Sequence, residues 1–261
     1  MTNFFLFTLG RTGSTAVIDE LASHSSISCH GEIFRRNGAL TPKAQVQYEQ
    51  EGDDYLRYRL TNDLVLPYKM FLQLPEAKSL GYSGYLDSLN ERTLAEGKKI
   101  FGFKLLLNQS TENPGLIEEL GDKKFKALHL IRKNVVRKTV SGMVAEQRKA
   151  YNRRNYEHPD EKYVIDMASF KLRIKRNDGF VDKTRKTLQS SNIEALEVYY
   201  EDFLLNRELF YDKIFDFLGA KSMPLKPSDY SIMVPSLDRV IKNYDEFRSG
   251  VDKLGLTHFL D

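Results

Sequence analysis

Residues 4 to 15 read FFLFTLGRTGST, and this stretch sets the fold class. Residues 3–9 form a short apolar run of the kind found in a strand buried on both faces. The run breaks into Gly10-Arg11-Thr12-Gly13-Ser14-Thr15. Ala16, Val17 and Leu21 then recur at helical spacing, which predicts a helix over 14–24. A strand that turns through glycines straight into a helix is built to hold an anion. Glycine lets the backbone turn tightly and come close to a ligand. The first N–H groups of a helix, with the positive end of its dipole, attract phosphate or sulfate. Arg11 adds a planar cationic fork for the same group. The plainer alternative is an ordinary strand-to-helix turn capped by Ser14 or Thr15.

The loop departs from the common nucleotide loops. The pattern G-x-x-x-x-G-K-[ST] needs a lysine before the hydroxyl residue; here Gly13 precedes Ser14 and the cation comes earlier, at Arg11. The dinucleotide pattern G-x-G-x-x-G is also missing. The expected ligand is therefore phosphate-like, with neither an ordinary ATPase nor a dehydrogenase expected.

Outward from the loop, strands are predicted over 25–29, 99–107, 125–131 and 193–200. Helices are predicted over 86–96 and 114–120, from Asn134 to about Lys149, over most of 161–188, and over 207–218. Strands alternating with helices predict an α/β fold: a P-loop-like parallel sheet flanked by helices on both faces. A single domain over 1–261 is expected, with 38–98, polar and tyrosine-rich, as a helical insertion on the substrate side. Ligands of such sheets bind at the carboxyl ends of the strands. Gly10 to Thr15, Glu32, Arg132 to Ser141, and Tyr200 to Asp202 all follow predicted strands and are expected to converge.

The bulk properties fit a globular chain. There are 261 residues, 41% hydrophobic and 29% charged, with a net charge of +3, enough for one large core. Basic residues outnumber acidic ones by about eleven over 122–186, which reads as a positive face for an anionic ligand or as a solvated helical surface. Cys29 is the single cysteine and the five histidines lack metal-ligand spacing, so neither an intrachain disulfide nor a metal is expected. The first residues carry no basic leader and too short an apolar run to span a membrane. A soluble protein of a reducing, cytoplasmic compartment is expected.

A second constellation is Arg132-Lys133-Asn134, at a strand end, with Ser141 in the following helix. Arginine gives bidentate contacts to a phosphate and serine adds one hydrogen bond. Alone, the segment reads more simply as a helix start with basic residues facing solvent. Together with the first loop it resembles the sulfotransferase family, which uses 3′-phosphoadenosine-5′-phosphosulfate (PAPS) as sulfuryl donor. Val198-Tyr199-Tyr200-Glu201-Asp202-Phe203 is similar to that family's Tyr-Glu-Asp segment. Ile241-Lys242-Asn243-Tyr244-Asp245-Glu246 is similar to a segment near the C-terminus of bacterial carbohydrate sulfotransferases, the trehalose-type branch.

The resemblance implies that Arg11, Thr12, Gly13, Ser14 and Thr15 hold the 5′-phosphosulfate. It implies that Arg132 and Ser141 hold the 3′-phosphate and that Tyr200 lies near the adenine. In the cytosolic branch the arginine lies one residue nearer the serine, which would put Lys133 on the phosphate. The longer spacing of the trehalose-type branch favours Arg132. No Arg-Lys-Gly segment appears near the C-terminus, so either another cation completes the 3′-phosphate site, with Arg185 of the basic helix a candidate, or none does.

For proton transfer, Glu32 follows the loop at about the separation of the trehalose-type catalytic glutamate. Its apolar neighbours Ile33 and Phe34 are expected to make it a better base. His30 is the rival base. Lys104 is a charge in an apolar strand, facing either the transferred group or, at an edge, water. Arg35 and Arg36 are candidates to meet an anionic acceptor, and Tyr48, Tyr55, Tyr58 and Tyr68 to stack on sugar rings. The resemblance implies PAPS as donor substrate, 3′-phosphoadenosine-5′-phosphate (PAP) as product and a hydroxyl acceptor, a carbohydrate or other small molecule. Neither nucleic acid nor a membrane span is expected, and a homo-oligomer is compatible with the sequence. Two alternatives stay open: an ATP-dependent kinase with Asp202 holding the metal, and a non-catalytic anion binder.

Overall fold

A computed structural model describes residues 1–34, 75–149, 151, 154–155 and 161–260. The chain has an α/β fold. Five parallel strands, β1 (Thr2–Thr8), β2 (Ile27–His30), β3 (Ile100–Leu106), β4 (Lys126–Ile131) and β5 (Ala195–Tyr199), form a sheet in the order β2-β3-β1-β4-β5. β1 lies at the centre, flanked by β3 and β4, where the strand order switches direction.

Alternation along β1 divides the core. Phe5 and Phe7 face one side with Phe101, Phe103 and Leu105, under helices α2 (Pro75–Ala95) and α4 (Leu116–Asp122). Phe4 and Leu6 face the other side with Leu128 and Leu130, under α1 (Ser14–Leu21) and α9 (Arg207–Leu218). Phe4 to Phe7 are all fully buried, so a sheet covered on both faces makes its central strand apolar throughout. The glycine inside β3 has a packing reason: a Cβ at Gly102 would lie 2.2 Å from the Phe4 ring.

A third cluster joins α5 (Val135–Arg148), α6 (Met167–Asp178), α10 (Leu237–Val240) and α11 (Tyr244–Asp252) through Val140, Phe170, Val240 and Phe247. Asn243 belongs to this scaffold. Its side chain accepts from the Ile165 N–H at 2.9 Å and donates to the Ile165 carbonyl at 3.1 Å, a strand-like pairing made by one amide.

The remaining elements are α3 (Leu107–Glu112), α7 (Phe180–Ser190), α8 (Tyr200–Leu205) and a 3₁₀ turn (Thr257–Phe259). The expected insertion over 38–98 lies outside the described residues as far as 74; from there on it is α2. Arg35, Arg36, Tyr48, Tyr55, Tyr58 and Tyr68 also lie outside them.

Candidate active site

The loop after β1 uses two left-handed residues. Gly13 has φ 76° and a Cβ there would lie 2.3 Å from the Tyr200 ring, so both its backbone and its close neighbour require glycine. Arg11 has φ 66°, a conformation that costs a non-glycine residue about 1 kcal/mol. Such strain persists where the surroundings over-determine it, commonly at a ligand clamp. No side chain caps the first turn of α1, which leaves its leading N–H groups to whatever fills the space in front.

That space is a cavity of about 410 Å³ at the carboxyl ends of the strands, within the usual size range of ligand pockets. Gly10, Arg11, Gly13, Ser14 and Thr15 form its middle. Glu32, Lys104 and Gln109 line one end, and Arg132, Ser141 and Tyr200 the other. The convergence expected from the strand order is therefore realised for these residues.

The two anion-binding candidates are physically joined. Arg11 Nε donates to Ser141 Oγ at 3.0 Å, and Arg132 donates to the Arg11 carbonyl at 3.1 Å. A further Arg11 nitrogen donates to the Tyr151 carbonyl. The Arg132 guanidinium lies 4.7 Å from the centre of the Tyr200 ring, and Tyr200 packs on Gly13. Glu201 fixes the turn that carries Arg132: its two oxygens accept the N–H groups of Lys133 and Asn134 at 3.1 and 3.0 Å. Lys133 turns away, its amine 3.8 Å from the Tyr199 ring centre. Of the two cations weighed for this position, Arg132 is the one in the cavity.

Electrostatically this end is crowded with positive charge. Burial, then the neighbouring Arg132, pulls the Arg11 pKa down to about 10. Burial also lowers Arg132. Burial and Arg132 bring Lys138, on α5, down to about 8. Nε of Arg132 is buried without a hydrogen-bond partner. Cations driven together out of water lower one another's pKa until an anion joins them, and a buried donor left unmet is costly.

The opposite end is organised by Lys104. It sits on β3, between β2 and β1 rather than at an edge, and is buried. Its amine donates to Thr15 Oγ1 at 3.1 Å and pairs with Glu32 at 2.7 Å. The other Glu32 oxygen accepts from Gln109 Nε2 at 2.7 Å. Glu32 is thus held by an amine and an amide. The apolar surroundings expected from Ile33 and Phe34 are not its surroundings: both side chains turn into the core, while Glu32 lines the cavity.

Against known proteins, no family model and no curated protein matches the chain. Among solved structures it is similar to a sulfotransferase from Alicyclobacillus acidocaldarius, at 14% identity over 99% of this chain and 96% of that one, with a TM-score of 0.48. It is also similar to the sulfotransferase domain from the curacin biosynthetic pathway, at 15% identity over 86% of this chain and 76% of that one, with a TM-score of 0.46. At such distances residue roles are not transferable, and they rest on the cavity.

Some expected residues stand apart from it. His30 hydrogen-bonds Ser28 at 3.3 Å and packs on Phe101. It is not among the residues lining the cavity. Thr12 is buried, its hydroxyl bonded to the Leu9 carbonyl and the Thr8 hydroxyl at 3.0 and 2.8 Å; it ties the loop to the sheet. Arg185 is paired with Glu197 at 2.6 Å and Asp182 at 3.1 Å on the outer face of α7, so it does not complete the cationic end. Asp202 does not line the cavity either.

Other lining residues escaped the sequence reading: Gln109 on α3, Phe203 and Arg207, and the irregular segment Tyr230-Ser231-Ile232-Met233-Val234. That segment is pinned by Arg148, which donates to the Met233 carbonyl at 2.9 Å, and by Arg137, which donates to that of Pro235 at 3.3 Å. Nothing in its composition announces a wall, because it has no periodicity. Among the described residues no helix is long and apolar enough to cross a membrane.

Proposed function

We propose that this chain is a sulfotransferase that moves a sulfuryl group from PAPS to a hydroxyl of a carbohydrate or glycoconjugate acceptor. The observation that carries the reading is a single cavity with a crowded cationic end, a glycine loop at its middle and, beyond it, a half-buried carboxylate paired with a buried amine. The unmet Arg132 Nε and the lowered pKa values of Arg11 and Arg132 fit a donor that brings several anionic groups.

In this reading Arg132 and Ser141 hold the 3′-phosphate, and Arg11 with the N–H groups of Gly13, Ser14 and Thr15 holds the phosphosulfate. Tyr200 and the apolar groups of Ile232 and Met233 flank the base. The acceptor oxygen bonds to sulfur as the bond from sulfur to the 5′-phosphate oxygen breaks. Glu32 takes the hydroxyl proton. Lys104, between Glu32 and Thr15, sits where the sulfuryl group would pass and stabilises its charge, a preorganised electrostatic role. Gln109 fixes the carboxylate so that one oxygen can be presented to the acceptor. Asn108 and Glu112, also in the lining, make the acceptor end polar, which suits a polyhydroxyl molecule.

The test is turnover. With PAPS and a panel of sugars, PAP release should require an acceptor and fall by about 10²–10⁴-fold in Glu32→Gln. Phosphoryl transfer from ATP with magnesium, and no PAP release with any acceptor, would overturn the reading in favour of a kinase.

A further inference from the structure

Four lining residues form a ladder in which two cations bracket two rings. Arg132 lies 4.7 Å from the Tyr200 ring centre. The Tyr200 and Phe203 ring centres are 6.2 Å apart. Arg207 lies 4.6 Å from the Phe203 ring centre. The rings are three residues apart on α8, so they share one face of the helix, and the ladder puts a second arginine farther along the same wall.

Arg207 is aimed from behind. Its guanidinium pairs with Glu20 at 3.1 Å, and Glu20 is 2% exposed while Arg207 is 46% exposed. The same carboxylate accepts from Tyr211 Oη at 2.9 Å and from the Ser228 N–H at 3.0 Å. A carboxylate is not buried without such partners. Glu20 stands at the far end of α1, whose first turn faces the cavity. One helix therefore carries the anion loop at its start and, at its end, both Arg207 and the first peptide of the segment leading to the 230–234 wall.

We propose that Arg207 is an anion-binding residue of the donor end and that Glu20 is the positioning residue that holds it there. This rests on the reading of the cavity as a donor site. The expected ligand is a nucleotide with separated anionic groups, one of which meets Arg207 while the Tyr200–Phe203 face supports its ring. Arginine on a ring is pre-oriented to offer its remaining N–H groups in the plane.

The test is calorimetric titration of the full chain with PAP and, separately, with inorganic pyrophosphate. The variants are Arg207→Gln, Glu20→Gln and the double variant, each checked by thermal melting. Arg207→Gln should weaken PAP about tenfold or more. The single variants also lose stability through an unpaired partner, so the double variant decides. It removes both charges together. A merely structural pair predicts that PAP affinity returns to the wild-type value in the double variant. A contact between Arg207 and the ligand predicts that affinity stays low there while the melting temperature recovers. Wild-type affinity in the double variant would overturn the proposal. If the wild type ignores PAP yet binds pyrophosphate in an Arg207-dependent way, the sulfotransferase reading fails and the anion role of Arg207 stands. If it binds neither, both fail.

Discussion

At the scale of single residues, Glu32 and Gly13 carry separable roles. Glu32 is placed by Lys104 and Gln109, so removing its charge leaves the cationic end untouched. Glu32→Gln should leave PAP affinity near wild type and lower turnover by about 10²–10⁴-fold, the usual worth of a general base; single-turnover kinetics beside a binding titration checks both. Gly13→Ala should act the other way. The added methyl meets Tyr200 and the left-handed backbone disfavours it, so a loss of about 1–3 kcal/mol in stability is expected. Tyr200 would shift and nucleotide affinity would fall with it. An unchanged melting temperature would contradict the packing account.

Arg11 was announced by its place in a glycine turn after a strand, whereas Arg132, Ser141 and Tyr200 stood out only when set beside that loop and the family likeness. They did not separate Glu32 from His30, since neighbours near a strand end differ by which face they take, and one sequence does not say where the strand stops. Gln109 was invisible for a related reason: its task is to hold another side chain, and that depends on distance alone.

At the scale of elements, α5 carries the clearest electrostatic cost. Its Lys138 is buried beside Arg132 and brought down to about 8. A lysine whose folded pKa lies below its unfolded value near 10.4 gives up its proton more readily when folded. Its penalty is complete below pH 8 and fades as the pH rises from 8 toward the unfolded value. Lys138→Met should therefore stabilise the ligand-free protein at pH 7 by about 1–3 kcal/mol, a gain that disappears above about pH 10.5. Denaturant unfolding at pH 7 and pH 10.5 measures the difference; equal effects at both values would contradict it.

The strands were legible because burial on both faces leaves continuous apolar runs, as at Phe4 to Phe7. The short helices α3, α8 and α10 were not, being too brief to show a period. α8 was read as the end of a strand and its sequel, yet it carries the Tyr200–Phe203 wall. The Asn243 segment was read for its likeness to a family motif, while its contacts bind it to Ile165 in the scaffold.

At the scale of the whole molecule, the cavity concentrates repulsion that a bound anion relieves. A ligand that binds only the folded chain stabilises it by about 2.7 kcal/mol at a hundred times its Kd. PAP at that excess should raise the melting temperature by roughly 5–10 °C for a chain of this size, and adenosine, lacking the phosphates, should not. Scanning calorimetry with each ligand checks this, and equal shifts would show that charge is not what the cavity recognises.

The most direct test is calorimetric titration of the wild type and of Arg11→Ala with PAP in the absence of magnesium. Submicromolar binding that is abolished by Arg11→Ala is the predicted result. Undetectable binding of PAP, or tight binding of ATP with magnesium in its place, would contradict a phosphosulfate donor site at Gly10 to Thr15.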